Sequence, residues 1–205
     1  MAKVKLTKNE LKKQKDALKM FKRYLPTLQL KKQQLQSEIR GIQARARQIA
    51  AERDRLLEEF RAWIAVFGEE SAVKKPDGSW ILADGRVVVD TGNIAGVEIP
   101  IFRKAEFTID DYDLFAKPLW VDRALDRLRS MLTLDLEIKV LEEQIVRLEH
   151  ELRITTQRVN LFEKVKIPET SEIIRKIRIY LGDQQTAQVV RGKIAKNKVL
   201  ERAAS

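Results

Sequence analysis

The sequence predicts a mainly α-helical fold in which N- and C-terminal helices form a long antiparallel two-helix coiled coil, with a short β-hairpin segment between them. Apolar residues recur at alternating spacings of three and four in both terminal parts of the 205-residue chain. Glycine-containing turns and β-branched runs are concentrated between these parts. A charged fraction of 34% with only 6% aromatic residues is typical of long helices. We therefore divide the chain into an N-terminal coiled-coil helix (1–68), a hairpin-containing insertion (69–116) and a C-terminal coiled-coil helix (117–205).

The N-terminal segment carries a heptad seam that continues for about eight repeats, with mostly Lys, Arg, Glu, Gln and Ala between the seam positions. A continuous helix over this span would be roughly 85 Å long, which a coiled coil requires and a small globular core does not. The seam consists of Leu11, Gln14, Leu18, Phe21, Leu25, Leu28, Lys32, Leu35, Ile39, Ile42, Ala46, Ile49, Arg53, Leu56, Phe60, Trp63 and Phe67.

A second seam follows in the C-terminal segment, where Lys117-Pro118 is a suitable helix start. Each seam alone would expose an apolar stripe, so we expect the two helices to pack on each other in antiparallel orientation. Polar seam positions at Lys32, Arg53 and Thr155 help to fix the register. The second seam consists of Leu134, Ile138, Leu141, Ile145, Leu148, Leu152, Thr155, Val159 and Phe162, preceded in another phase by Val121, Leu125, Leu128 and Leu132 and followed by Ile174, Ile177 and Leu181.

Two irregularities interrupt this pattern. The phase shifts on either side of the second seam imply local over- or underwinding of the supercoil. Pro26 and Pro168 each lie within a predicted helix and each tends to kink it. From the spacing of the two seams, we expect Pro26 to lie near residues 160–168, so that both helices bend at about the same level.

The insertion contains the turn and strand signals. Asp84-Gly85 is flanked by the apolar runs 80–83 and 86–89, which predicts a two-residue hairpin at this pair. Further candidate strands are 97–102 and 105–109. An isolated hairpin is marginal in water, so this one is expected to pack on the helix ends or on a partner. Other turn-like sequences are Pro76-Asp77-Gly78, Thr91-Gly92-Asn93 and Ala95-Gly96.

The net charge of +10 is concentrated at the two chain ends, which an antiparallel coiled coil brings to one tip. Such a basic surface suits nucleic acid, an anionic membrane or an acidic protein, and equally a solvated helix face. We call it the basic tip and define it by Lys3, Lys5, Lys8, Lys12, Lys13, Lys193, Lys196 and Lys198.

The sequence predicts no catalytic, cofactor-binding or metal-binding residues. It has no cysteine and one histidine, His150, so thiolate and His-cluster metal sites are excluded. No phosphate-binding loop, dinucleotide fingerprint or nucleophile elbow is present. The basic N-terminus lacks the apolar core of a signal peptide, and no apolar run reaches the roughly 20 residues of a membrane span. We expect a cytoplasmic protein.

Three stretches resemble the D subunit of V/A-type rotary ATPases, in the family order and over most of the chain. Residues 155–163, Thr-Thr-Gln-Arg-Val-Asn-Leu-Phe-Glu, with Ile167-Pro168 after them, are similar to the Thr-Thr-x-Arg-Val-Asn-x-x-Glu…Ile-Pro signature of that family. Residues 93–102 are similar to its Asn-x-x-Gly-Val-x-x-Pro stretch. Residues 7–11 are similar to the opening of its first helix.

The resemblance implies a non-catalytic central-stalk protein that acts as a rotor shaft. Its coiled coil would reach into the ring of catalytic and nucleotide-binding A and B subunits and couple ATP hydrolysis or synthesis to proton or sodium translocation. A small F subunit of the central stalk would bind the side of the shaft, and a socket subunit above the membrane rotor would hold its foot. The protein would be peripheral to the membrane, touching it only through the complex, and would bind no nucleic acid. The partner-interface residues implied are Thr155, Thr156, Arg158, Val159, Asn160, Pro168, Asn93, Gly96, Val97 and Pro100.

Two alternatives remain open from the residues alone. A prefoldin-like coiled-coil chaperone also combines two helices with β-hairpins, but its tips should present apolar residues outside the seam. A basic coiled-coil arm that binds nucleic acid would show steep salt dependence. For each tenfold rise in salt concentration, the logarithm of its affinity for duplex DNA would fall by about 0.9 per phosphate contact.

Overall fold

A computed structural model describes residues 4–64, 74, 79, 81–113, 115, 117–118 and 120–204. Helix α1 (Lys8–Ile64) is followed by strands β1 (Leu82–Ile94) and β2 (Val97–Ile109), and then by helix α2 (Val121–Asn160). A π-helical turn (Leu161–Lys166), here called the π turn, joins α2 to helix α3 (Ile167–Ala204). The predicted mainly helical fold, with a hairpin between two helical segments, is confirmed.

Contacts divide the chain into two compact units. The first, here called the terminal unit, contains Met1–Lys32 and Ile154–Ser205, and the second, the central unit, contains Gln33–Arg153. Helix α1 contributes to both units, and its first turn is capped by Thr7, whose hydroxyl oxygen accepts a hydrogen bond from the Glu10 N–H at 3.3 Å. The helix does not end at Pro26, whose side chain is exposed.

The predicted seam of α1 is the side of the helix that is buried. Every seam position from Leu11 to Phe60 is buried or half-buried, including the polar positions Lys32 and Arg53. The side chains of Trp63 and Phe67 lie outside the described residues. Complete burial of a leucine, isoleucine or phenylalanine side chain of this seam stabilises a fold by about 1.5–3 kcal/mol. The heptad pattern therefore identifies the contact face of α1 correctly.

In the central unit, ion pairs show that α1 and α2 are antiparallel. Arg45 contacts Glu137 at 2.8 Å, whereas Arg53, further along α1, contacts Asp135 at 3.1 Å, earlier in α2. Arg53 also contacts its neighbour Asp54 at 2.7 Å. These groups are partly exposed, so each pair contributes only about 0–1 kcal/mol to stability. We infer that they help to fix the register, while the seam supplies most of the stability.

The hairpin turn lies at Ala95-Gly96, so the predicted hairpin turn at Asp84-Gly85 is wrong. Ala95 and Gly96 have φ angles of 52° and 83°, the positive values that a tight hairpin turn requires at both central positions. The Asn93 side-chain oxygen accepts a hydrogen bond from the Gly96 N–H at 3.0 Å. Strand β1 continues through Asp84, which is an extra residue opposite the pairs Ala83–Thr108 and Gly85–Phe107. The Asp-Gly pair is therefore a β-bulge, and the ladder extends to Leu82 and Ile109.

The hairpin turn packs on the middle of the helices, and its base packs on a helix end. Ile99 of β2 shares a buried cluster with Leu35 and Ile39 of α1 and Leu148 of α2. At the base, Ile81 forms a second cluster with Val121 and Leu125 at the start of α2. The expectation of packing on the helix ends is thus correct for the base and wrong for the turn. The apolar turn residues explain the difference, because they bury area only on the helix sides; they are Ile94, Ala95 and Val97.

Side chains of α2 also hold the outer edge of β2. Gln144, which is buried, donates a hydrogen bond from its amide nitrogen to the carbonyl oxygen of Pro100. One helical turn away, Arg147 donates to the carbonyl oxygen of Glu98 at 3.3 Å. Helix α2 therefore contacts α1 with its seam and the hairpin with a second face.

In the terminal unit, the seam of the C-terminal part continues across the π turn with one residue added. Buried or half-buried seam positions at Thr155 and Phe162 are seven residues apart, but the next equivalent, Thr170, follows after eight. Ile177 again follows after seven. At this phase shift the wide turn takes up the extra residue, because the Ile167 N–H bonds to the carbonyl oxygen of Phe162, five residues back. The over- or underwinding of the supercoil stays a prediction.

The two prolines do not lie at one level, contrary to expectation. The rings of Phe21 and Phe162 pack with their centroids 5.2 Å apart, which sets the register in this unit. Pro26 is five residues beyond Phe21 and Pro168 is six residues beyond Phe162. Because the helices are antiparallel, the prolines lie on opposite sides of the phenylalanine contact, about three helical turns apart.

Leu148→Ala should destabilise the protein by about 2–5 kcal/mol, because Leu148 is 0% exposed in the cluster that joins both helices to the hairpin. The matched control is Val146→Ala on the same helix, where the side chain is 65% exposed and the expected change is within about 0.5 kcal/mol. Urea unfolding followed by circular dichroism measures both. Equal effects of the two substitutions would contradict the assigned core.

Candidate functional site

The expected partner-interface residues belong to two different units. Thr155, Thr156, Arg158, Val159, Asn160 and Pro168 lie in the terminal unit, and Asn93, Gly96, Val97 and Pro100 lie in the central unit. Their side chains also differ in exposure. Thr155 and Val159 are buried, Thr156, Val97 and Pro100 are half-buried, and Arg158, Asn160, Pro168, Asn93 and Gly96 are exposed.

In the terminal unit, the signature stretch supplies both packing and surface. Thr155 and Val159 occupy the buried seam, so their side chains are already covered within this chain. Arg158 and Asn160 lie on the exposed side of the same helical segment. Only the exposed members of this stretch present their side chains to a partner.

In the central unit, the hairpin turn borders an open groove of about 470 Å³ on the surface of α2. Val97 and Val146 give it an apolar floor, and Arg147 beside it forms an ion pair with Glu143. An open groove that combines an apolar floor with a charged rim has the composition of a protein contact surface. The lining residues are Gly96, Val97, Glu98, Val146, Arg147, His150 and Glu151.

The basic tip is distributed along the terminal unit. Lys5 lies exposed just before α1, and Lys8, Lys12 and Lys13 lie exposed at its start. On α3, Lys193, Lys196 and Lys198 are exposed. Lys3 lies outside the described residues. The seam of α3 ends at Leu181, so the basic-tip lysines of α3 begin about 18 Å beyond the last seam residue.

Beyond Leu181, α3 continues without a seam partner among the described residues. All residues from Gly182 to Leu200 are exposed, although several carry large apolar side chains. A helix that leaves such side chains exposed usually has a partner surface. The exposed apolar residues of this segment, here called the unpaired helix, are Val189, Val190, Ile194, Val199 and Leu200.

The base of the hairpin is joined to α2 by a contact that sequence reasoning missed. The Tyr112 hydroxyl donates a hydrogen bond to the Asp122 carboxylate. This bond is the main cause that raises the pKa of Tyr112 to about 12, with desolvation and the charges of Asp122 and Asp126 adding to it. Sequence reasoning also missed Gln144 and Arg147. The partners of these three side chains are backbone carbonyls or residues distant in the sequence, which no periodicity in the sequence reveals.

The described residues offer no metal site and no membrane helix. No group of three or more His, Cys, Asp or Glu side chains among them is placed to hold a metal ion. None of the helices in residues 8–64 and 121–204 is long and apolar enough to cross a membrane.

The fold and these surfaces define a two-helix coiled-coil protein with an inserted hairpin docked on its side. A family model that describes the D subunit of ATP synthase matches residues 10–197. The chain belongs to this family. It is 53% identical over 202 residues to the D subunit of the V-type ATP synthase of Borreliella burgdorferi, covering 98% of both chains.

Two further relatives carry the same description. The D subunit of the V-type ATP synthase of Chlamydia trachomatis serovar L2 is 36% identical over 203 residues, covering 96% of both chains. That of Chlamydia pneumoniae is 35% identical over 196 residues, covering 96% of this chain and 93% of the relative. The resemblance to the D subunit of V/A-type ATPases is therefore confirmed over nearly the full chain.

Absorbance titration of the tyrosines should show one phenol that ionises with a pKa of about 12, which Tyr112→Phe removes and Tyr180→Phe leaves in place. Because the folded pKa is raised above about 10, the unfolded value, the contact stabilises the fold fully below about pH 10. That stability is lost as the pH rises through about 12. A Tyr112→Phe variant that keeps this titration step would show the assignment to be wrong.

Proposed function

We propose that this protein is the central rotor shaft of a V/A-type ATPase or ATP synthase. As the shaft, it mechanically couples ATP hydrolysis or synthesis in a catalytic ring to proton or sodium translocation. It is a non-catalytic component of that complex, cytoplasmic and peripheral to the membrane. The observation that carries the proposal is the unpaired helix beyond Leu181, which extends past the paired seam in a chain of the D-subunit family.

The ring of A and B subunits is the partner proposed for the unpaired helix. Its apolar residues, such as Val190 and Ile194, require an apolar lining, and its lysines suit acidic or polar side chains around that lining. Exposed ion pairs contribute only about 0–1 kcal/mol each. Contacts of this strength can be exchanged as the shaft turns, so the basic tip acts as a bearing surface.

The central unit offers surfaces for the other two partners. We assign the groove between the hairpin turn and α2 to the small F subunit, because it combines apolar Val97 and Val146 with the charged rim of Glu98 and Arg147. We assign the base of the hairpin to the socket subunit. Phe115 there is fully exposed, and an exposed aromatic side chain is a typical anchor in a protein interface.

The proposal is tested by isolating the tagged chain from its native cells and identifying the proteins that accompany it. We expect an ATPase ring containing the A and B subunits together with a small stoichiometric partner, and ATP hydrolysis in the purified assembly. Recovery of a six-membered chaperone would refute the shaft. Recovery of nucleic acid alone would refute it equally.

Deleting residues 182–205 should leave the fold intact and abolish coupled ATP hydrolysis. No residue from 182 to 200 is buried, so the melting temperature should change by less than about 2 °C. Coupling is measured as ATP-driven ion uptake in membranes that contain the assembled complex. Normal coupling by the truncated chain would contradict the role given to the unpaired helix.

Replacing Lys193, Lys196 and Lys198 together by Glu should weaken assembly with the ring by about tenfold, if each contact contributes roughly 0.5 kcal/mol. The control makes the same charge change on exposed residues of α2, at Arg123, Arg129 and Lys139. Titration of the ring with each variant measures the affinity. An equal loss in both variants would mean that overall charge, and not the basic tip, is responsible.

A further inference from the structure

The π turn combines three features that weaken a helix at one place. Its hydrogen bonds span five residues, as the Ile167 N–H to Phe162 carbonyl bond shows, and such turns are rare inside α-helices. None of its six residues is buried; Leu161 is 43% and Val165 48% exposed. Pro168, two residues after the turn, has no N–H, so one carbonyl oxygen in the preceding turn lacks its helical donor.

The sequence keeps the π turn although a regular helix is geometrically available. A continuous α-helix after Phe162 would continue the heptad steps and bring Glu169 and Lys176 to the seam. It would also turn Ile174 and Ile177 away from the seam, in which both side chains are buried in the structure. Burying charged side chains is costly, so the one-residue insertion in the π turn is fixed by the residues that follow it.

The two sides of the π turn are anchored independently. Before it, Thr155 and Val159 are buried. The second residue of the turn itself, Phe162, packs on Phe21 of α1. After it, Thr170 is buried and donates a hydrogen bond to the Lys166 carbonyl oxygen at 2.6 Å, and Ile174 continues the seam. Apart from half-buried Phe162 and Lys166, the turn is exposed. A short segment with altered hydrogen bonds between two packed segments has the construction of a joint.

We propose that the π turn, together with Pro168, is a bending joint. It allows the α3 segment beyond it to change its angle to α2 while the seam on both sides stays packed. Its use during rotation rests on the proposed function, whereas its flexibility belongs to the chain itself. One variant removes the joint without changing the residues of the seam. Deleting Glu163, an exposed residue with no ion pair in the described structure, restores seven-residue spacing and leaves every seam residue in place.

The first test measures the spread of distances across the joint with pairs of spin labels. The chain has no cysteine, so labels can be attached at Arg158→Cys and Lys176→Cys on either side of the π turn. Lys139→Cys and Gln157→Cys within α2 form the matched control, and both pairs are about five helical turns apart. All four side chains are exposed.

We expect the distance distribution across the π turn to be about twice as broad as that of the control pair, and the deletion of Glu163 to narrow it to the control width. Pro168→Ala, which restores an N–H, should narrow it in part. Equal widths for the two pairs in the unaltered chain would overturn the proposal. This comparison needs no deletion, so it decides the matter even if the deletion variant fails to fold.

The second test places the deletion variant in the assembled ATPase. If the joint bends during rotation, turnover should fall by about threefold or more while assembly is unchanged, because a conformational step is slowed. Unchanged turnover would overturn the role of the joint in rotation. Failure of the unaltered chain to assemble with any ATPase would refute the proposed function, and the spin-label result would stand independently.

Discussion

Burial of a seven-residue apolar repeat against an antiparallel neighbour is the interaction on which the rest of the structure depends. Neither α1 nor the C-terminal helices could be stable alone in water, because each would expose its seam. Leu35 and Leu148 show how the pairing serves more than the two helices, since the same cluster also receives Ile99 of the hairpin. The polar seam positions Lys32, Arg53 and Thr155 give up some stability and reduce the number of alternative registers.

The same constraint explains the two exceptions along the chain. At the π turn, the repeat has one residue too many, and the backbone widens so that Thr170 and Ile177 still face the seam. Beyond Leu181 no described residue packs on the repeat, and apolar side chains are left exposed on α3. The first exception is resolved within the chain, whereas the second leaves apolar side chains uncovered in the part of the chain that the structure describes.

The sequence predicts the interactions that repeat periodically along the chain, and it does not predict those that do not repeat. The seam of α1 was found residue by residue, because a helix repeats its contacts every seven positions. The hairpin was expected, but its turn was assigned to Asp84-Gly85 because that pair has strong turn propensity. The structure uses Ala95-Gly96, where burial of Ile94 and Val97 on the helices decides the register. Of the candidate interface, sequence similarity indicated the stretches, but only coordinates separate buried Thr155 from exposed Arg158.

The docking of β2 on α2 has a consequence for the solubility of the protein. A two-stranded sheet has two open edges, and unpaired backbone groups along an edge invite strands from other molecules. Strand β2 contains Pro100, which has no N–H, and the carbonyl oxygens of Glu98 and Pro100 are occupied by Arg147 and Gln144. Around these residues the edge therefore offers few free groups to an incoming strand. The contacts that hold the hairpin in place thus also protect this edge from aggregation.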